Sequence, residues 1–126
     1  MLTVILDGEN VLRALGLVRG SDLTKAEEFL QRLEMAASSK DWEVTVIFDG
    51  PQRYLPRESG LMVVRYAPGG KTADSVIEAM VYRISDRSSV VVVTRDRAEE
   101  NLVLGLGARV WPPGRLAEEL ERPENW

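Results

Sequence analysis

The chain has 126 residues, 44% of them hydrophobic and 29% charged, with a net charge of −4. That length makes one domain, large enough to bury roughly two-thirds of its unfolded surface. With no cysteine and no histidine, it can hold no disulfide framework, no Cys/His zinc site and no histidine-based acid–base or nucleophile pair. Any catalysis must run on carboxylates, hydroxyls, lysine, arginine or a metal bound through oxygen.

Leu2–Leu6 is a largely apolar run that leads straight into Asp7-Gly8-Glu9-Asn10. A continuous apolar run bounded by a turn reads as a strand buried on both faces. The pattern then turns helical over Glu9–Leu17, ending near Gly16. Ser21 or Asp22 caps a long helix with apolar positions from Leu23 to Ala37, which frays at Ser38–Asp41. Trp42–Phe48 is a second strand and again ends in an acid, Asp49, before Gly50-Pro51. A polar loop over Gln52–Gly60 precedes a third strand, Leu61–Tyr66. Thr72 caps a helix from Ala73 to about Ser85. Val90–Thr94 is the most apolar strand and runs into Arg95-Asp96. Ala98–Leu106 is a helix closed by Gly105 or Gly107, Ala108–Trp111 a short last strand, and Arg115–Leu120 a final helix after the break at Pro112-Pro113. Residues 1–121 form the single domain and 122–126 a polar tail. Strands alternating with helices predict an α/β fold, a Rossmann-like doubly wound parallel sheet of about five strands in the order 3-2-1-4-5. Its topological switch point then lies between strands one and four, beneath Asp7 and Asp96.

Asp7, Asp49 and Asp96 each closely follow an apolar strand, so in a parallel sheet all three lie on one edge. Strands are about 4.8 Å apart, close enough for these side chains to converge. Asp74 enters from the first turn of the helix after Gly69-Gly70, and Glu78 lies one turn further along the same face. Singly, each acid is explained as a turn former or a helix-dipole partner. Together they repel: two carboxylates about 4 Å apart cost about 4 kcal/mol at an intermediate dielectric. A cluster without an evident counter-charge suggests a divalent cation, and oxygen-only ligands favour Mg²⁺ or Mn²⁺. Asn10 could fix a carboxylate or a substrate phosphate, or simply cap a helix; Thr94 could hydrogen-bond into the site, or be there for its strand propensity. The Gly69–Thr72 turn lacks the full spacing of a phosphate loop.

The charge is unevenly spread, with 10 basic against 7 acidic residues over 51–115. Arg53, Arg57, Arg65, Lys71, Arg95 and Arg97 flank the same strand ends as the acids. They could hold a phosphate backbone, with Tyr54 or Tyr66 for base stacking, or form a scattered solvated surface.

Four stretches together resemble a known family: Asp7-Gly8-Glu9-Asn10, Val46-Ile47-Phe48-Asp49-Gly50, Gly70-Lys71-Thr72-Ala73-Asp74-Ser75-Val76-Ile77-Glu78, and Val93-Thr94-Arg95-Asp96-Arg97-Ala98-Glu99. They are similar, in order and over nearly the whole chain, to the NYN domains, and most of all to the YacP-like branch of the PIN-like nuclease superfamily. The resemblance implies clustered acids that bind one or two Mg²⁺ or Mn²⁺ ions and cut RNA, with ribosome-associated mRNA as a setting. It implies Asp7, Asp74 and Asp96 as the principal acids, with Asn10 and Thr94 beside them and Asp49 in a further motif. Glu9 stands where many relatives carry tyrosine, and many relatives have a longer C-terminal part, a departure that bears on target choice.

The expectation is therefore a metal-dependent endoribonuclease. Asp7, Asp74 and Asp96 hold metal, Asp49 or Glu78 contributes directly or through water, and Asn10 assists. Arg53, Arg57, Lys71, Thr94, Arg95 and Arg97 contact RNA. The alternatives are a non-catalytic RNA- or ribosome-binding module on the same fold, and aspartyl phosphoryl transfer. The dehalogenase form of the latter wants a second aspartate where this chain has Glu9. No apolar run approaches the roughly 20 residues that span a bilayer, and the chain opens on a strand with no signal-peptide pattern. A cytoplasmic protein without a membrane partner is expected, as monomer or homodimer.

Overall fold

In a computed structural model, which describes residues 1–58 and 60–122, five parallel strands form one sheet in the order β3-β2-β1-β4-β5. The elements in chain order are β1 (Leu2–Asp7), α1 (Gly8–Ala14), α2 (Thr24–Ser39), β2 (Trp42–Phe48), β3 (Met62–Tyr66), α3 (Ala73–Arg83), β4 (Val90–Val93), α4 (Arg97–Gly105), β5 (Arg109–Trp111) and α5 (Pro113–Glu121). A single 3₁₀ turn at Arg87–Ser89 leads into β4. Fold class and strand order are those expected from the sequence. Arg122 follows α5; the remainder of the expected tail, 123–126, lies outside the described residues.

Both sheet faces are covered, which is why the strands read as unbroken apolar runs. On one face Val4, Leu6, Val44, Val46, Val91 and Val93 meet α1, α2 and α5 through Leu12, Phe29, Leu30, Leu33 and Leu116. On the other, Ile5, Ile47, Val90 and Val92 meet α3 and α4 through Ile77, Val81 and Val103. All four β4 valines are fully buried. Among the described residues, no helix is long and apolar enough to cross a membrane.

Helix ends differ from expectation in instructive ways. Helix α1 stops at Ala14 because Gly16 takes a left-handed φ of 69°. Leu17 N then donates to Leu12 O and Gly16 N to Arg13 O, a Schellman closure. Of the two glycines expected to close α4, it is Gly107, at φ 95°, that does so, through the same pair of bonds from Ala108 N to Val103 O and Gly107 N to Leu104 O. Helix α5 begins two residues before the expected start. Pro113 is its first helical residue, where the missing N–H has no helical partner to lose.

Candidate metal centre

The register of the three middle strands assembles the site. Asp7 pairs with Ile47 across β1–β2, and Leu6 pairs with Val93 across β1–β4. The next residue of each strand path, Asp7 and Thr94, therefore meet at the switch point. Both are buried, Asp7 at 6% exposure and Thr94 at 0%. Gly8 follows Asp7 because the turn runs against β2: a Cβ there would lie 2.5 Å from the Phe48 ring.

Two helices then bring further acids. Thr72 accepts a hydrogen bond from Ser75 N and caps α3, placing half-buried Asp74 in its first turn. Asp74 precedes Ile77 by three residues, so it sits on the side of the helix that faces the sheet. Asp96 caps α4 by accepting from Glu99 N at 3.2 Å. Glu99 is four residues before Val103, and these two are the buried residues of that helix. Glu99 is only 2% exposed.

The outcome is a group of three acids, Asp7, Asp74 and Glu99, each with a carboxylate oxygen within 4.8 Å of the others. Thr94 Oγ1 lies 3.1 Å from Glu99 Oε2 and 3.5 Å from Asp7 Oδ2, and accepts from Asp96 N at 3.1 Å. The hydroxyl has one proton, so it can satisfy one of the two carboxylates at a time. Glu99 Oε1 is buried and, among the described residues, has no hydrogen-bond partner. Burial pushes the Asp7 carboxyl up to about 6, partly opposed by the hydrogen bond with Glu99 and reinforced by the charges of Asp74 and Asp49. Burial, then the charge of Asp7, pushes Glu99 up to about 9. Near neutral pH the group therefore holds a proton that three solvated carboxylates would have released. A buried carboxylate oxygen left over and a donor set made of oxygen alone suit a hard divalent cation. The residues fit Mg²⁺ or Mn²⁺.

The other sequence candidates take different places. Asp96, expected as the strand-four ligand, is outside the three-acid group, and its Oδ1 caps α4. Asp49 lines the same cleft, but its Oδ1 accepts from Ala73 N at 2.7 Å and pins the start of α3. Glu78, one turn beyond Asp74, is not in the group. Asn10 Oδ1 accepts from Arg95 N at 2.7 Å, tying α1 to the β4–α4 loop. Asp7, Asn10, Asp49, Asp74 and Arg95 share a cleft of about 530 Å³. Glu9, on its rim, is ion-paired at 3.4 Å to both Arg13 and Arg53.

The cations expected to meet RNA are likewise sorted. Arg95 lines the cleft, and Lys71 lines a neighbouring groove. Arg57 is largely buried in an ion pair with Glu27 at 3.1 Å; Glu27 also accepts from Leu55 N, so this pair holds the loop onto α2. Arg97 borders a separate hollow with Leu104 and Pro112. Tyr54 is 3% exposed and stacked on Phe48 at 4.5 Å, leaving no ring face for a base. The Tyr66 hydroxyl accepts from Arg53 N and Tyr54 N.

Sequence reasoning missed Glu99. In Arg97-Ala98-Glu99-Glu100 it reads as an ordinary acid near a helix N-terminus. The available signal was its phase: it is on the Val103 side of the helix, where an exposed glutamate has no place.

A parallel sheet with acids gathered at its switch point is the plan of the PIN-like nuclease fold. The chain belongs to the YacP-like NYN domain family, whose sequence profile matches residues 4–125. It is similar in structure to Rae1 (YacP) from Bacillus subtilis. A point mutant of that protein superposes with a TM-score of 0.77 at 22% identity, over 96% of this chain and 76% of the relative. A second Rae1 (YacP) crystal structure gives 0.76 at 23% identity, over 96% and 74%. No curated protein sequence matches the chain.

Proposed function

We propose that the protein is a metal-dependent endoribonuclease that hydrolyses phosphodiester bonds of RNA in the cleft above Asp7. The observation that carries this reading is the convergence of Asp7, Asp74 and Glu99 within 4.8 Å at the switch point, two of them buried with raised pKa values. Those three acids would hold Mg²⁺ or Mn²⁺, with Asp49 beside them on the cleft wall. A divalent ion there would lower the pKa of an attacking water and offset charge building on the scissile phosphate, work for which the chain has no histidine.

The chain's own groups supply the rest. Thr94 donates to one buried carboxylate and fixes its orientation. Arg95 offers a cation at the cleft for a non-bridging phosphate oxygen, and Asn10 positions it by holding its backbone N–H. Glu9 is neutralised by Arg13 and Arg53, so it adds little repulsion against the entering backbone. Family kinship supports mRNA on the ribosome as the substrate setting and the cytoplasm as its location.

The test is incubation of purified protein with labelled single-stranded RNA and Mn²⁺, beside EDTA, Asp7→Asn and Asp74→Asn controls. Metal-dependent cleavage abolished in both variants is expected. Cleavage that persists in both, or in EDTA, would sink the assignment; RNA binding without any cleavage would favour a non-catalytic module.

A further inference from the structure

Beside the acid cleft lies a larger groove, of about 840 Å³, between edge strand β3 and helix α3. It exists because α3 packs over β1 and β2 and leaves the flank of β3 uncovered. Its apolar floor comes from α3, with Val76, Ala79 and Met80 on successive turns of the helix; Val64 lines the strand side, its side chain packed into the core on the opposite sheet face. Its charged lining residues are Arg65, Lys71 and Arg83, with no carboxylate. All three cations are exposed, and among the described residues none forms an ion pair. The acid cleft is the reverse, with the acids Asp7, Glu9, Asp49 and Asp74 against Arg13 and Arg95. Thr72 lines both, so the two depressions adjoin.

We propose that this groove is a nucleotide subsite, in which a base of single-stranded RNA rests on Val76 and Met80 while flanking phosphates lie against Arg65, Lys71 and Arg83. The subsite rests on the nuclease reading of the adjoining cleft. A cleft with more acids than bases attracts a polyanion weakly, so cations beside it add affinity, and this cationic surface adjoins it. The volume falls in the range of small-ligand sites, roughly 300–1,000 Å³. A floor without charged groups suits the face of an unstacked base, which a single strand offers and a duplex does not. The absence of carboxylates suits phosphate.

The test is fluorescence anisotropy with a labelled single-stranded hexaribonucleotide and the full chain, in EDTA so that cleavage does not intervene. Arg65→Glu/Arg83→Glu, both at exposed positions, is expected to weaken binding at least about tenfold. Arg83→Ala should reduce the slope of log affinity on log salt by about 0.7, the value for one phosphate contact on a single strand. An oligonucleotide with abasic positions should bind the parent protein more weakly than intact RNA, and Met80→Ser should narrow that difference; circular-dichroism melts check that each variant is folded. Unchanged affinity in the charge-reversed variant overturns the proposal, as does equal binding of abasic and intact RNA. Displacement by a polyglutamate peptide that binds more tightly than RNA would assign the groove to an acidic protein segment and also overturn it. Groove-dependent RNA binding by a protein that never cleaves would remove the nuclease reading alone and leave the subsite standing.

Discussion

At the scale of single residues, Glu99 and Asp96 are the two candidates for a third metal ligand, and their environments differ. Glu99 is buried, retains its proton to about pH 9 and has an unpartnered oxygen. Asp96 is half-buried and already engaged with the α4 backbone. Glu99→Gln reproduces the protonated side chain, so the metal-free protein should melt at the same temperature near pH 7. The variant should lose the stabilisation that Mn²⁺ gives the parent, about 2.7 kcal/mol at one hundred times the dissociation constant, and should cleave RNA about 100-fold more slowly. Asp96→Asn keeps a good N-cap and should retain most of both. Melting curves with and without Mn²⁺, together with cleavage rates, decide between the two. Asp7 and Asp74 were legible in the sequence because a strand end and a helix start announce themselves. Glu99 was not, because an acid in a first helical turn has a ready surface explanation and only the helix's rotation on the sheet turns it inward.

At the scale of elements, the site depends on how closely α1 leaves β1. Gly8 lies against Phe48, which stacks on Tyr54 and Tyr66 at 4.5 and 5.6 Å. Gly8→Ala must push that ring or the turn aside and should cost about 1–3 kcal/mol, measured by urea unfolding, with metal affinity falling because Asp7 moves with the turn. The Asn10–Arg95 bond joins α1 to the β4–α4 loop, 85 residues away in sequence. Asn10→Ala should cost about 1 kcal/mol and raise KM for RNA more than it lowers kcat, since it releases Arg95 without touching the acids. A steady-state cleavage assay reads that split. Helix and strand positions were largely readable from periodicity, whereas the C-terminal ends of α1 and α4 depended on which glycine takes a positive φ. Neither glycine in Gly105-Leu106-Gly107 differs in composition; only the packing of Val103 and Ala108 selects the second.

At the scale of the whole molecule, the acid group sets the pH dependence of stability. Asp7 and Glu99 have folded-state pKa values raised above the ordinary values of 3.8 and 4.5. A raised value means that the folded state binds the proton more tightly than the unfolded chain. The stability this contributes is full below about pH 4 and is lost as pH rises through about 6 and then about 9. The metal-free protein should therefore melt at a lower temperature at pH 8.5 than at pH 5.5. Mn²⁺ should reverse the trend, because it needs the deprotonated carboxylates, and its stabilising effect should grow over the same interval. A melting temperature that falls equally with and without Mn²⁺ would count against a cation at these acids. The same scale governs substrate approach: negative cleft and cationic groove adjoin at Thr72, so rising salt should weaken RNA binding without weakening the fold.

The sequence by itself determined the alternation of strands and helices, the parallel five-stranded sheet, and the edge on which acids gather. These follow from local periodicity and from short connections, and both are written along the chain. Tertiary structure alone decided which side chains share the site. It turned Glu99 inward through the phase of α4 and gave Asp96 to a cap. It paired Arg57 with Glu27 and closed Tyr54 beneath Phe48. Among the described residues, it left Arg65, Lys71 and Arg83 without an ion pair around one groove. The physical reason is that a side chain's neighbours across a fold depend on helix rotation and packing depth, and neither is fixed by the residues beside it in sequence.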